Sequence, residues 1–198
     1  AQPYYPPAEA HEAFYRDPQT APEYVLCKIG GVDDRFLYQD DALALNALRE
    51  LYYPVRLGGK LLLLKRHESP PPVLPRKLVA ELRVPLGKTI SLEPLKGQGV
   101  WMEAEVERTW LGRLQSFFYK PAPCYIGYHV TGQPEIYFSR YVTSMGPSGA
   151  MLNPVVGSSY ELLNLYAPQP EWDGFQAITD FHLTTDPSDR QFFKNEAV

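Results

Sequence analysis

Three glutamates at alternate positions are the first candidates for chemistry in this sequence. Glu103, Glu105 and Glu107 lie in residues 99–109, where apolar and polar residues alternate as in a half-buried strand. Next-but-one residues on a strand lie about 6–7 Å apart, a spacing that overlaps the carboxylate separations of glycosidases. A solvated strand face has the same pattern, and we favour that interpretation because a raised carboxyl pKa requires burial. A glycoside hydrolase with Glu103 or Glu105 as the acid is therefore the least favoured of three hypotheses.

The other polar candidates indicate structure rather than chemistry. His182, together with Asp180 and Asp186, could approach a cation, but a strand followed by a turn explains these residues more simply. Cys27 and Cys124 lie in apolar, strand-like runs, so we predict buried thiols, with a disulfide as the alternative. We predict no catalytic residue, no metal site and no cofactor.

Aromatic residues are the unusual feature of the composition, with 14 Tyr, 9 Phe and 3 Trp in 198 residues. Trp101 shares its predicted strand face with the glutamates, and a tryptophan on a polar face can stack on a sugar ring or on a neighbouring surface. The predicted ligand contacts are all aromatic: Trp101, Trp110, Tyr119 and Trp172.

An aromatic and basic segment over residues 110–123 follows the glutamate-bearing run and ends in two prolines. Proline cannot continue a strand ladder, so we predict a connection between strands. This connection either folds back and caps one end of the domain, or presents an apolar surface to a partner domain or a membrane interface. The residues predicted to face such a partner are Arg113, Phe117, Phe118 and Lys120.

The composition excludes several classes of protein. The net charge is −4 and no run of Lys and Arg forms a basic stripe, so we expect no nucleic-acid partner. No segment approaches the roughly 20 apolar residues that a membrane-spanning helix needs. The chain starts at Ala1 without a methionine and ends in a strand-like run, so we expect it to be an excised piece of a longer protein.

The pattern of elements predicts a mainly β fold, an antiparallel β-sandwich of the jelly-roll type preceded by a small α/β element. Residues 1–68 form an extended lead-in, with a short helix near residues 8–15, and a strand (23–29), helix (39–51) and hairpin (54–66). A proline-rich connector covers residues 69–76, and the sandwich covers residues 77–198. Strands without a helix are predicted there over residues 77–84, 88–92, 99–109, 124–130, 135–143, 150–152, 160–166, 174–184 and 191–198.

Several segments carry a resemblance to a known family. Trp110-Leu-Gly-Arg-Leu-Gln-Ser-Phe-Phe-Tyr-Lys-Pro-Ala-Pro123, preceded by Met102-Glu-Ala-Glu-Val106, resembles an LGRLxxxxYxPP motif in the soluble C-terminal region of bacterial multi-pass membrane proteins of the glycosyltransferase type. Tyr141-Val-Thr-Ser-Met145 and Met151-Leu-Asn-Pro-Val155 are similar to the RxVPxM…FLLSPxV stretch that follows there. Asp40-Asp-Ala-Leu-Ala-Leu45 through Leu61-Leu-Leu-Leu-Lys65 looks like the α/β element after the last transmembrane helix of that family.

The resemblance extends from about residue 20 to the end, with Ser144 in place of an expected proline and Asn153 in place of an expected serine. It implies an extracytoplasmic accessory domain of a membrane enzyme, bound to its parent membrane domain or to a like copy. The sugar-transferring carboxylates of that family lie in the membrane part, so no catalytic residue is carried over to this chain. The first hypothesis is a non-catalytic accessory domain that binds a glycan or an acceptor, and the second is a structural or assembly module without a ligand.

Overall fold

The fold is a mixture of helices and strands rather than a mainly β fold. It is described by a computed structural model covering residues 5–30, 35–36, 38–39, 41–72, 75–166 and 175–198. The chain is 29% helical and 33% strand, and the strands form several antiparallel sheets, none of them closed. The antiparallel pairing is therefore confirmed, and the sandwich stays a prediction. The expectation of strands without a helix over residues 77–198 is wrong, because residues 110–118 and 159–165 are helical.

The helices in the described part of the chain are α1 (Tyr5–Arg16), α2 (Ala42–Leu51), α3 (Trp110–Phe118) and α4 (Ser159–Leu165). The strands are β1 (Tyr24–Cys27), β2 (Tyr52–Gly58), β3 (Leu61–Arg66), β4 (Val84–Pro85), β5 (Ile90–Ser91), β6 (Val100–Met102), β7 (Val106–Arg108), β8 (Cys124–Val130), β9 (Ile136–Tyr141), β10 (Ala150–Asn153), β11 (Ile178–Thr184) and β12 (Phe193–Ala197). Short 3₁₀ helices include Glu93–Leu95, Thr143–Ser148 and Pro187–Phe192. None of the described helices combines the length and apolar character required to cross a bilayer.

From β1 onward the first third of the chain follows its prediction, whereas the predicted extended lead-in is largely replaced by the twelve-residue helix α1. Strands β1, β3 and β2 form one antiparallel sheet in that order, and α2 connects to it directly through β2. The hairpin turns at Gly59 and Lys60, where Gly59 has a φ of 60°. A positive φ at the first central residue is what a type II′ hairpin turn requires, and glycine adopts it without steric cost.

The predicted strand over residues 99–109 is divided between two sheets. Its first half is β6, which pairs with β10, and its second half is β7, which pairs with β12. Buried and exposed residues still alternate across this division. Ala104 and Val106 are buried, and the three glutamates between and beside them are exposed. The remaining sheet has the order β5-β11-β8-β9 and contains the predicted pairing of β8 with β9.

Two of the predicted strands are wrong. Residues 160–165 fall in helix α4, and Tyr166 is its C-cap; Ser158 caps the other end by accepting a hydrogen bond from the backbone N–H of Glu161 (3.2 Å). The Glu161 carboxylate in turn accepts from Ser158 Oγ (3.0 Å) and from the backbone N–H of Gly157 (2.8 Å). This reciprocal arrangement is a capping box. Of residues 77–84, only the last belongs to a strand, and residues 75–83 run exposed and outside the sheets.

Two hydrophobic clusters form the interior. The first is built mainly from the strands of the second half, with Ile126, Leu152 and Ile178 at its centre. The second joins Tyr52 and Leu62 of the first sheet to residues that follow β10, among them Val156 and Leu162. Packing therefore crosses the 69–76 connector, and the division into segments 1–68, 69–76 and 77–198 stays a prediction.

Candidate functional site

Helix α3 replaces the predicted connection after the glutamate-bearing strand, and its N-terminus is anchored to the body of the protein. Thr109 is the N-cap, and its hydroxyl oxygen accepts a hydrogen bond from the backbone N–H of Gly112 (3.2 Å). The same hydroxyl donates to the carbonyl of Gln191 (2.8 Å), and the backbone N–H of Thr109 donates to the carbonyl of Phe192 (3.0 Å). One threonine thus starts the helix and fixes it to the 3₁₀ helix Pro187–Phe192.

The inner side of α3 consists of small and polar residues. Gly112 is buried, and Ser116 donates from Oγ to its carbonyl (2.6 Å). Beneath them, Arg108 donates from Nη1 to Ser116 Oγ (2.9 Å) and from Nη2 to Thr143 Oγ1 (3.0 Å). Desolvation by burial lowers the pKa of Arg108. The guanidinium therefore connects α3 to the 3₁₀ helix Thr143–Ser148 through two hydroxyl groups.

The outer side of α3 is apolar and faces solvent. Trp110 is 72% exposed, Phe117 is 79% exposed and Tyr119, the C-cap residue, is 78% exposed. The rings of Phe117 and Phe118 meet edge to face with their centroids 5.0 Å apart. We call the following six exposed residues the α3 apolar face: Trp110, Leu111, Leu114, Phe117, Phe118 and Tyr119. A surface helix normally turns its apolar stripe toward the core, so α3 is inverted relative to that rule.

Two positive charges border the α3 apolar face. Arg113 and Lys120 are both exposed, and the sequence from Trp110 to Pro123 contains no acidic residue. The acidic residue just before the helix, Glu107, is hydrogen-bonded to Lys194, which holds the pKa of the Glu107 carboxyl below its usual value; Arg113 lowers that pKa further. The segment Trp110–Pro123 itself is thus purely basic, although the chain as a whole carries −4 and Asp189 lies in the 3₁₀ helix on which α3 packs.

The structure brings most of the predicted site residues together. The ligand contacts Trp110 and Tyr119 and the partner-facing residues Arg113, Phe117, Phe118 and Lys120 all lie in α3 or directly after it. Their exposure fits the interpretation in which this segment presents a surface, while the inner side of α3 packs on the body of the protein. Trp172 lies outside the described residues.

Trp101 lies apart from α3 and is not an open platform. The guanidinium of Arg76 lies over its ring, 4.0 Å from the centroid. A β-carbon placed on Gly149 would lie 2.1 Å from Trp101 Nε1, so backbone packs closely against the indole. Trp101 also packs against the second hydrophobic cluster. These neighbours give the ring a structural role in the interior.

The polar candidates are placed as ordinary surface or core groups. Glu103 and Glu105, the two candidate acids of the glycosidase hypothesis, are both exposed, as on a solvated strand face. Asp180 is hydrogen-bonded to His129 Nδ1 (2.7 Å), and no three metal-binding side chains are grouped among the residues described. Cys27 and Cys124 are both buried free thiols, as predicted. A small cavity lined by aromatic and aliphatic side chains, Phe36 and Val156 among them, contains none of the described site predictions.

The residues that determine the placement of α3 are not among those that the sequence predicts as functional. Thr109 is a favoured N-cap residue directly before Trp110, and such a residue signals a helix start when the following apolar residues recur at helical intervals. The apolar residues Trp110, Leu114 and Phe117 have that spacing. The contribution of Arg108 carries no sequence signal, because its two partners lie 8 and 35 residues away.

Comparison with known proteins provides no relative for this chain. No family model matches it, and neither the curated proteins nor the solved structures contain a significant match.

Proposed function

We propose that this chain is a non-catalytic accessory module of a bacterial membrane-bound glycosyltransferase-like protein, which docks through the α3 apolar face on the extracytoplasmic side. The observation that carries the proposal is the outward orientation of six large apolar side chains on one short, anchored segment. Contiguous exposed apolar surface of this kind marks interaction sites in globular proteins. The motif resemblance over residues 110–123 supports the choice of partner, the membrane part of the parent protein or a like copy.

The energetics of such docking favour a rigid helix. Each large apolar side chain that becomes fully buried contributes about 1.5–3 kcal/mol, so several of them offset the roughly 4–15 kcal/mol cost of association. The backbone of α3 is already ordered by Thr109, Gly112 and Arg108, so little chain entropy is lost on binding. A β-sandwich arrangement of the sheets behind α3 is part of this proposal, as the support that holds the helix outward.

Glycan binding is a second candidate function, and it is supported by the exposed rings of Trp110 and Tyr119. Exposed aromatic faces can stack on sugar rings, whereas Trp101 is covered by Arg76. A titration with a panel of oligosaccharides, monitored by tryptophan fluorescence, tests it. Saturable binding that is lost in Trp110→Ala would support this candidate, and no binding by any sugar would reject it.

Photo-crosslinking in the full-length protein tests the docking proposal. A benzophenone amino acid replaces Phe118 on the α3 apolar face or, as the control, Tyr160 on α4, which is also well exposed. We expect crosslinks from position 118 to the membrane part of the same protein, to a second copy or to lipid, and few from position 160.

A second variant tests whether crosslinking at position 118 depends on the α3 apolar face. Trp110→Ser should reduce the yield at position 118, because it removes a large part of the apolar face without disturbing buried groups. Equal crosslinking at positions 118 and 160, or none at either position, would overturn the proposal that α3 is the docking surface.

A further inference from the structure

The exposed side of α3 has the chemistry of a helix that lies in a membrane interface. Such helices combine Trp, Phe and Leu on one side with Lys or Arg at the border. Here the apolar side is formed by the α3 apolar face, and the border is formed by Arg113 and Lys120. The nine residues of α3 span about 13–14 Å, enough to lie flat on a bilayer and too little to cross it.

The ends of the helix carry the residues that prefer the boundary between headgroups and acyl chains. Trp110 opens α3 and Tyr119 follows its last residue, and both rings are mostly exposed. Trp and Tyr are enriched at this boundary because one part of the side chain is apolar while the other forms hydrogen bonds. Leu114, Phe117 and Phe118 lie between them and would reach deeper, toward the acyl chains.

The charges near α3 complement an anionic surface. Arg113 and Lys120 are exposed, no acidic residue occurs between Trp110 and Pro123, and Glu107 is paired with Lys194. Two basic residues therefore stand at the border of the apolar face without an acidic residue in the same segment. A bilayer with negatively charged headgroups attracts them, and this attraction weakens with added salt.

We propose that the α3 apolar face inserts into the interfacial layer of a bilayer that contains anionic lipids, with Arg113 and Lys120 at the headgroups. This inference rests on the proposed function, since it names the occupant of the same docking surface. The anchoring of α3 by Thr109 and Gly112 fixes the angle at which the body of the protein stands on the membrane. The module then holds its other surfaces at a set height above the bilayer.

Co-sedimentation of the 198-residue chain with lipid vesicles tests the inference. The vesicles consist of phosphatidylcholine alone or of phosphatidylcholine with about 30 mol% phosphatidylglycerol. We expect binding to the anionic vesicles to exceed binding to the neutral ones by about tenfold or more, and to weaken as salt is added. Phe117→Ser should weaken binding to both vesicles by about tenfold or more, because a fully buried aromatic ring is lost from the interface.

Variants of the two basic residues separate the electrostatic contribution to vesicle binding from the apolar one. Arg113→Gln and Lys120→Gln should each lower binding to anionic vesicles about fivefold and leave binding to neutral vesicles nearly unchanged. Tyr160→Ser and Phe138→Ser, which remove exposed rings elsewhere, should have no effect. Thermal unfolding of each variant confirms that the fold is intact, which is expected because every altered side chain is exposed.

The outcomes distinguish this inference from the docking proposal. No vesicle binding, or binding that the α3 variants leave unchanged, would overturn the inference about lipid. Crosslinks from position 118 to protein alone would also overturn the inference about lipid, but they would support the proposed docking function. Crosslinks from position 118 to lipid, together with charge-dependent vesicle binding, would support both.

Discussion

The carbonyl oxygen of Phe192 lies 2.1 Å from the point where a β-carbon on Gly112 would be. No side chain fits in that space, so glycine at position 112 is what allows α3 to lie directly on the backbone of the 3₁₀ helix Pro187–Phe192. This contact turns the small inner side of α3 toward the protein and leaves the large apolar side chains outside. The orientation of the proposed docking surface thus depends on one residue without a side chain.

Gly112→Ala should displace α3 from the body of the protein. The added methyl group would collide with backbone rather than with a flexible side chain, so relief requires movement of the whole helix. We expect a loss of stability of about 1–3 kcal/mol, as for other overpacked sites, although alanine is the better helix former. Urea unfolding measures the loss, and amide hydrogen exchange in α3 should show faster exchange in the variant.

Gly58→Ala is the matched control for this experiment. Gly58 ends β2, and a β-carbon placed there would meet no atom within 4 Å. Its stability should change by less than about 0.5 kcal/mol, as for most surface substitutions. If Gly112→Ala were as mild as Gly58→Ala, the close packing of α3 against Phe192 would not hold in solution.

The capping box of α4 makes a separate prediction. Ser158→Ala removes the acceptor for the N–H of Glu161 and should cost about 1 kcal/mol of stability. Glu161→Gln should cost less, since an amide oxygen still accepts from the N–H of Gly157. Ser69→Ala, an exposed serine in the connector, serves as the control. Urea unfolding of the three variants measures which of them loses most stability. Equal stabilities would rule out the capping role of Ser158 and Glu161.

The failure to predict α4 and the success with β8 have physical reasons. Residues 160–166 contain enough tyrosine and leucine to be taken for a strand, and the short apolar run does not distinguish strand from helix. Ser158 and Glu161, three residues apart, were the decisive signal, because they satisfy the backbone groups at a helix start. In β8 the pairing with β9 follows from a turn of suitable length, and the sequence therefore predicts it correctly.

The candidate site could be predicted only in its composition. The sequence shows that residues 110–123 are aromatic and basic, because side-chain types can be read directly from it. Which side of α3 faces solvent depends on contacts with Gln191, Phe192 and Thr143, which are remote in sequence and leave no periodic trace. For the same reason the sequence predicts an open face for Trp101, since nothing in the local pattern indicates that Arg76 covers its ring.

The buried thiol of Cys124 predicts how stability depends on pH. Burial raises the pKa of Cys124 from 9.0 to about 12. Between about pH 9 and about pH 12 the thiol loses its proton in the unfolded chain but keeps it in the folded chain. The contribution of this thiol to the free energy of unfolding therefore has its full value below about pH 9 and falls as the pH rises toward about 12. At about pH 10.5 the expected loss is about 2 kcal/mol, from about 1.4 kcal/mol for each unit of pKa.

Urea unfolding at about pH 7 and about pH 10.5 measures this loss, with Cys124→Ala as the control. The buried phenol of Tyr141 also has a raised pKa and adds its own loss above about pH 10, so the control should retain part of the pH dependence. If the parent chain and Cys124→Ala lost the same stability between the two pH values, the Cys124 thiol would not be the cause of the loss. Alkylation in denaturant without reductant should modify both cysteines, because Cys27 and Cys124 are free thiols.

The contact of Arg76 with Trp101 predicts a structural role where the sequence predicted a ligand contact. The guanidinium lies 4.0 Å from the ring centroid and fastens the start of the exposed segment 75–83 to the interior. Arg76→Ala should cost about 1 kcal/mol as a cation–π contact, and Trp101→Ala about 3 kcal/mol because the packing of the indole is also lost. The double variant should be more stable than the sum of the two losses implies, since each single change removes the same contact.

Trp101→Phe separates packing from hydrogen bonding at this position. Trp101 Nε1 is buried and has no hydrogen-bond acceptor among the described residues, so its desolvation opposes folding. Phenylalanine keeps an aromatic face for Arg76 and removes the unpaired N–H, so we expect a smaller loss than in Trp101→Ala, measured by urea unfolding. If Trp101→Ala were instead as stable as the parent chain and lost binding to a sugar, the indole would be a ligand platform, and its contacts with Arg76 and Gly149 would not persist in solution.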